Sequence, residues 1–152
     1  MAEPLTLQSS SARHGLPFLH PAQAQKEAFV NEALARLDAL VHSSVVDQRS
    51  DPPTAPTIGE SYLVGASPSG DWAGETDAIA TWQGSHWLFV SPVEGTRIRR
   101  LDSGQDTVFS GGWQSASAPP EPAGGATVDA EARQAITALV NSLRQLGIFP
   151  TA

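Results

Sequence analysis

The chain reads as an α+β domain: a long N-terminal helix, an antiparallel β-meander of about five or six short strands, and a C-terminal helix with a heptad-like seam. Three observations predict this. Apolar residues recur at three- and four-residue spacings between His20 and Val46. From Glu60 to Trp113, short β-branched and aromatic runs alternate with Gly- and Pro-rich turns. A second periodic stretch runs from Val128 to Leu146. At 152 residues the chain is long enough for one core, and a domain of this size buries ~70% of its unfolded surface.

Residues 1–13 contain Ser9, Ser10 and Ser11 and little apolar content, so a flexible arm is expected there. Leu5 and Leu7 alternate around Thr6, which leaves open an arm that orders on a partner. A core domain is expected over residues 14–114. It begins with Leu16, Phe18 and Leu19, which lead into Pro21 at the first helical position. Phe29, Val30, Ala33, Leu34, Leu37, Leu40 and Val41 then form one broad apolar face, against which the rest of the chain is expected to pack. Gln25, Lys26, Glu32, Arg36 and Asp38 make the solvated side. Glu32 precedes Arg36 by one turn, a pair that contributes ~0.3 kcal/mol.

Val45 and Val46 start a short strand or extended exit, which Pro52, Pro53 and Pro56 stop. Glu60–Val64 reads as a strand and Pro68-Ser69-Gly70-Asp71 as a turn. Ala78–Trp82 and His86–Val90, joined by Gln83-Gly84-Ser85, have the pattern of a hairpin. Thr96–Asp102 and Asp106–Ser110 add strands before Trp113.

Residues 115–126, SASAPPEPAGGA, read as a linker with polyproline character. Residues 127–152 are expected to form an oligomerisation helix, capped by Thr127 or Asp129 and stopped at Gly147. Ala132, Ile136, Leu139, Leu143 and Leu146 follow a 4-3-4-3 spacing, which suits either packing on the same chain or a parallel bundle of copies. A trimer or a pentamer would each be compatible.

The 16 acidic against 9 basic side chains give a formal charge of -7, so a nucleic-acid partner is not expected. The absence of cysteine excludes disulfides and thiolate metal sites, and fits a product assembled in the cytoplasm. The first residues lack a basic stretch followed by an apolar run, and no 18 apolar residues run together, so neither a signal peptide nor a membrane span is expected.

Chemistry is sparse. His14, His20, His42 and His86 match no metal-ligand spacing, and no metal or cofactor is expected. Asp71, Glu75 and Asp77 could serve glycan cleavage, but read as turn residues. Arg97 and Arg99 suit the solvated face of an edge strand, with Ile98 opposite and Arg100 completing the only basic cluster. Trp72, Trp82, Trp87 and Trp113, with Tyr62, are candidates to stack on sugar rings, although core packing is the first expectation for each, because a small sheet needs large side chains. Trp72, in a Gly-rich turn, is the one most expected to be exposed, and Trp82 and Trp87 could face each other across their hairpin.

The strings PAQAQKE and NEALARLDAL, the strand Gly59–Val64, the turn Gly70-Asp71-Trp72-Ala73-Gly74, the hairpin from Ile79 to Trp87 and the stretch Asn141–Gly147 resemble a domain family of unassigned biochemistry from alphaproteobacterial prophage and gene transfer agent clusters. Some members look like the head-spike base of gene transfer agent particles. The resemblance implies a structural protein without catalytic residues, located in a phage-like particle that is assembled in the cytoplasm and released by lysis. Its implied partners are further copies of itself, a capsid vertex or spike-fibre protein, and host capsule polysaccharide. A free-standing carbohydrate-binding module and a glycan-cleaving enzyme are the competing expectations.

Overall fold

Ser61-Tyr62-Leu63-Val64 is buried at every residue and forms the strand around which the first half of the molecule is built. The computed structural model describes residues 10–14, 16, 18–19, 26–41, 43–125 and 129–151. The chain divides into two compact units, Met1–Ser43 with Gln48–Ser91 and Ser44–Asp47 with Pro92–Ala152. This divide falls inside the 14–114 core expected from sequence.

In the first unit, helix α1 spans Lys26–Leu40. Of the arm predicted over residues 1–13, residues 1–9 lie outside the described residues, as do His20, Pro21 and His42, whereas Ser11 and Arg13 are hydrogen-bonded to Asp38. Strands β2 (Gln48–Arg49), β3 (Ser61–Val64), β4 (Ile79–Trp82) and β5 (Trp87–Val90) form one sheet in that order. β3 and β4 are antiparallel with Ser61 opposite Thr81, and β4 and β5 are antiparallel with Trp82 opposite Trp87. The buried Ser61 and Thr81 hydroxyls satisfy each other at 2.8 Å. Gly59 occupies the left-handed region at φ +87, where a Cβ would sit 3.0 Å from the Ala12 carbonyl oxygen.

α1 turns the opposite way from the sequence expectation. Phe29 is 78% exposed and Leu37 51%, and Val30, Leu40 and Val41 also face out, while Asn31, Asp38 and Ala39 are buried. The reason is hydrogen bonding. The Asp38 carboxylate accepts from the Ser11 hydroxyl at 2.7 Å and from the backbone N–H groups of Arg13 at 2.7 Å and His14 at 2.6 Å. The Asn31 amide accepts from the Leu19 N–H and donates to the Leu19 carbonyl. Two polar side chains on one face therefore replace the backbone partners that the preceding segment lacks. Glu32 and Arg36 pair at 2.9 Å on the exposed surface.

In the second unit, β1 (Ser44–Val45), β6 (Arg97–Arg100), β7 (Gln105–Phe109) and β8 (Trp113–Gln114) form a second sheet in that order. The predicted single antiparallel meander is thus two mixed four-stranded sheets. β1 lies parallel to β6 and β2 parallel to β3, pairings of two residues each that leave no periodic signal. β6 is not an edge strand, because β1 covers its Arg99–Arg100 end. Ile98 is buried beneath the arginines, and Arg99 pairs with Asp106 at 3.0 Å.

Helix α2 spans Ala130–Gln145, with the Asp129 carboxylate accepting from the Ala132 N–H at its start. The 115–126 segment is not a free tether over its described part. The Arg133 guanidinium donates to the Pro122 carbonyl at 2.8 Å, and Pro119, Pro120 and Pro122 line a shallow cleft with Ile136, Thr137 and Val140. At the far end, Gly147 is buried at φ +76 and its carbonyl accepts from the Asp106 N–H at 2.6 Å. The Gln105 amide donates to the Ile148 and Ala116 carbonyls, and the Thr151 N–H donates to the Ser103 carbonyl. Among the described residues, no helix is long and apolar enough to cross a membrane.

Candidate functional site

Two surfaces carry the candidate residues. The first is an aromatic face on the sheet of the first unit. Cross-strand register places Tyr62 opposite Ala80, Phe89 opposite Ala80 on the other flank, and Trp82 opposite Trp87, so that Tyr62, Trp82, Trp87 and Phe89 share a face. A 3-10 turn at Gly70–Trp72 folds the Trp72 ring onto that face. Trp72 lies 5.0 Å from Trp87 in an edge-to-face arrangement and 5.9 Å from Tyr62, and Trp82 lies 5.0 Å from Trp87. Such pairs add about 0.5–1.5 kcal/mol beyond area burial.

This geometry overturns the expectation for Trp72. It is fully buried, as is nearly all of Tyr62, so neither can stack on a sugar as the fold stands. A Gly-rich turn need not be an exposed one when its aromatic side chain reaches back over a sheet. Trp82 and Trp87 remain half-buried. Trp113 belongs to the second unit and packs edge-on against Phe109 at 5.4 Å, apart from the other tryptophans. Sequence reading missed Arg49, whose guanidinium stands 5.1 Å from the Tyr62 ring centre. It also missed Glu60, which accepts from the Tyr62 hydroxyl at 2.7 Å and the Thr57 N–H at 2.9 Å. The Thr57 N–H, then the Tyr62 hydroxyl, hold the Glu60 carboxyl below its ordinary value. The alternation of Glu60 with Tyr62 was the available signal.

The second surface is α2. None of its residues is buried. Ala132, Ile136, Leu139 and Leu146 are exposed, Leu139 at 60% and Leu146 at 68%, and Leu143 is half-buried. The proline segment borders this seam at Ile136. The second unit as a whole has a thin core: among its described residues, Val45 and Ile98 are the only buried apolar side chains. Gln105 and Thr107 are buried with them, and the Thr107 hydroxyl donates to the Gln114 carbonyl.

Asp71 is exposed, whereas Glu75 and Asp77 are half-buried beside the turn. Asp77 adopts a positive φ of 65, and its N–H donates to the Val64 carbonyl, which ties it to the turn geometry. His14 reaches the Val41 carbonyl and His86 the Ser85 hydroxyl. Among the described residues, no three metal-capable side chains come together.

Residues 30–114 match the family described as a protein of unknown function, DUF2793. The match spans more than half of the chain, which belongs to that family. It runs from the second turn of α1 to the end of β8, so both sheets lie within it, and the proline segment and α2 follow it. No curated protein matches the chain.

Proposed function

We propose that this member of the DUF2793 family is a structural subunit that works as a homo-oligomer, with the α2 seams of several copies packed around a common axis. The observation that carries the reading is the second unit's shortage of apolar core beside a row in which Ala132, Ile136, Leu139 and Leu146 are exposed and Leu143 is half-buried. Units of this size rarely gain more than about 3–5 kcal/mol from one core, and burying a seam between copies supplies the missing apolar contact. The 4-3-4-3 spacing suits helices of like period.

The resemblance of PAQAQKE, NEALARLDAL and the Trp hairpin to proteins of gene transfer agent clusters supports a finer proposal. The oligomer would be a component of a phage-like particle, a head-spike or adsorption base that joins a capsid vertex to a fibre or to host capsule polysaccharide. Repeated weak contacts on a symmetric base act at high effective concentration, so no single one must be tight.

Light scattering of the full chain against Ile136→Asp and Leu139→Asp tests the oligomer. The expected result is a defined assembly that the substitutions dissociate. A wild-type monomer at high concentration overturns it. A second reading, a free-standing carbohydrate-binding module, is favoured by the half-buried Trp82–Trp87 pair. It requires a monomer whose glycan binding is lost in Trp82→Ala.

A further inference from the structure

The C-terminal end of α2 is tied to the turn between β6 and β7 within residues 103–106. The Gly147 carbonyl accepts from the Asp106 N–H at 2.6 Å, and the Ile148 carbonyl accepts from the buried Gln105 carboxamide at 2.8 Å. The Ser103 carbonyl accepts from both the N–H and the hydroxyl of Thr151. Gln105 also reaches a second segment. A carboxamide nitrogen carries two hydrogens, and the other donates to the Ala116 carbonyl, just before the prolines at 119, 120 and 122. One buried side chain thus fastens the start of the proline segment beside the end of the helix.

The proline segment is in turn fastened to the helix. The Arg133 guanidinium donates to the Pro122 and Gly124 carbonyls. Arg133, Val140 and Arg144 are half-buried and repeat at seven- and four-residue spacings, so they share one side of α2, and Val140 and Arg144 line the cleft with the prolines. We infer that the proline segment and α2 form a lever, residues 116–125 and 129–148, which Gln105 latches to β7 and which leaves the sheet as one piece. The inference concerns a single chain and does not require that copies assemble.

Three features make detachment easier than melting. No residue of α2 is buried, so the helix gives up little apolar contact when it leaves. The two carbonyls that Gln105 holds belong to the exposed residues Ala116 and Ile148, so water takes over their bonds on release. Inside the lever, the bonds do not need the sheet: Asp129 caps the first turn, Arg133 holds the proline segment, and the Ile148 N–H returns to the Leu143 carbonyl. The latch also specifies its residue. Leucine has no donor, an ionised glutamate has none, and asparagine is one methylene shorter. Detachment changes where α2 points and leaves the sheet folded.

Amide hydrogen exchange on the full chain, read by nuclear magnetic resonance, tests the lever. In the wild type, the Asp106 and Thr151 N–H groups, which bond across the latch, should open together with one shared dependence on low urea. In Gln105→Leu, which removes both donors, each should exchange about tenfold faster. The amides of Ala138 and Val140 in the middle of α2 should keep their wild-type rates, and the Ala123 and Gly124 chemical shifts, beside the Arg133 contact, should stay in place. Acceleration throughout α2 means that the released helix melts, and overturns the lever. Displaced Ala123 and Gly124 signals overturn the union of proline segment and helix. Unchanged exchange at Asp106 or at Thr151 overturns the latch. Where Gln105→Leu fails to fold, the wild-type urea series decides alone, and separate dependences for Asp106 and Thr151 overturn the inference.

Discussion

The first unit buries Leu63, Val64, Trp72 and Ile79 completely in and around β3 and β4, whereas the second buries Val45 and Ile98 and otherwise relies on hydrogen bonds from its sheet to its C-terminal tail. Both sheets have four strands, and each contains one two-residue parallel pairing. What differs is the filling. Two sheets of the same size need not be stable by the same means: one closes on aromatic and aliphatic side chains, and the other is laced to a helix end and keeps its apolar residues outside. The first has the larger apolar core, and in the proposed oligomer the second would gain apolar contact from neighbouring copies.

The largest expected effect tests whether the first unit depends on more than its core. Asp38→Ala removes the acceptor for three donors, the buried Ser11 hydroxyl and the part-buried N–H groups of Arg13 and His14, which should cost about 3 kcal/mol in urea denaturation, since an unsatisfied buried donor costs about 1–3 kcal/mol and a partly exposed one less. A loss below about 1 kcal/mol would mean that the core alone carries this unit.

The next test concerns the tail of the second unit. Gly147 combines φ +76 with a site where a Cβ would collide with the Arg99 guanidinium. Gly147→Ala should cost about 2 kcal/mol, from left-handed strain and displacement of Arg99 from Asp106. Hydrogen exchange at the Asp106 N–H, which bonds to the Gly147 carbonyl, reads the effect directly. Asp129→Ala removes the cap at the opposite end of α2 and should cost about 1 kcal/mol. Faster exchange confined to the first turn of α2 checks it.

The smallest effect is a pH dependence in the first unit. The Thr57 N–H and the Tyr62 hydroxyl hold the folded Glu60 carboxyl below its ordinary value. Its contribution to stability is therefore complete above the ordinary carboxylate range and is lost as pH falls through the lowered folded value. Glu60→Gln should flatten that acid limb of the melting-temperature profile and leave the remaining carboxylate titrations in place.

The hairpin Ile79–Trp82 with Trp87–Val90 was legible in the sequence because its determinants are local: β-branched and aromatic residues around a Gly84 turn. The strand Ser61–Val64 was legible for the same reason. The pairings of Ser44–Val45 and Gln48–Arg49 were not, because two residues carry no period and the partners lie far along the chain. In α1, the spacing of Phe29, Val30, Leu37 and Leu40 reveals an apolar face but not whether it points inward. That was decided by Asn31 and Asp38, whose partners Leu19, Ser11, Arg13 and His14 precede the helix. Of the candidate residues, the Trp82–Trp87 apposition could be read from the turn between them. The burial of Trp72 could not, since it depends on the 3-10 turn delivering its ring to Tyr62 and Trp87.

Ser44–Asp47 belongs to the second unit, although the chain on either side of it belongs to the first. During synthesis this short piece leaves the ribosome about fifty residues before Arg99 and Arg100, its ladder partners, and the first unit can close around Leu63 and Ile79 while it waits. No single cut in the gene separates the halves. A fragment starting at Pro92 lacks Val45, one of the two apolar side chains on which its sheet closes, so only a circularly permuted or re-joined chain could yield that half intact.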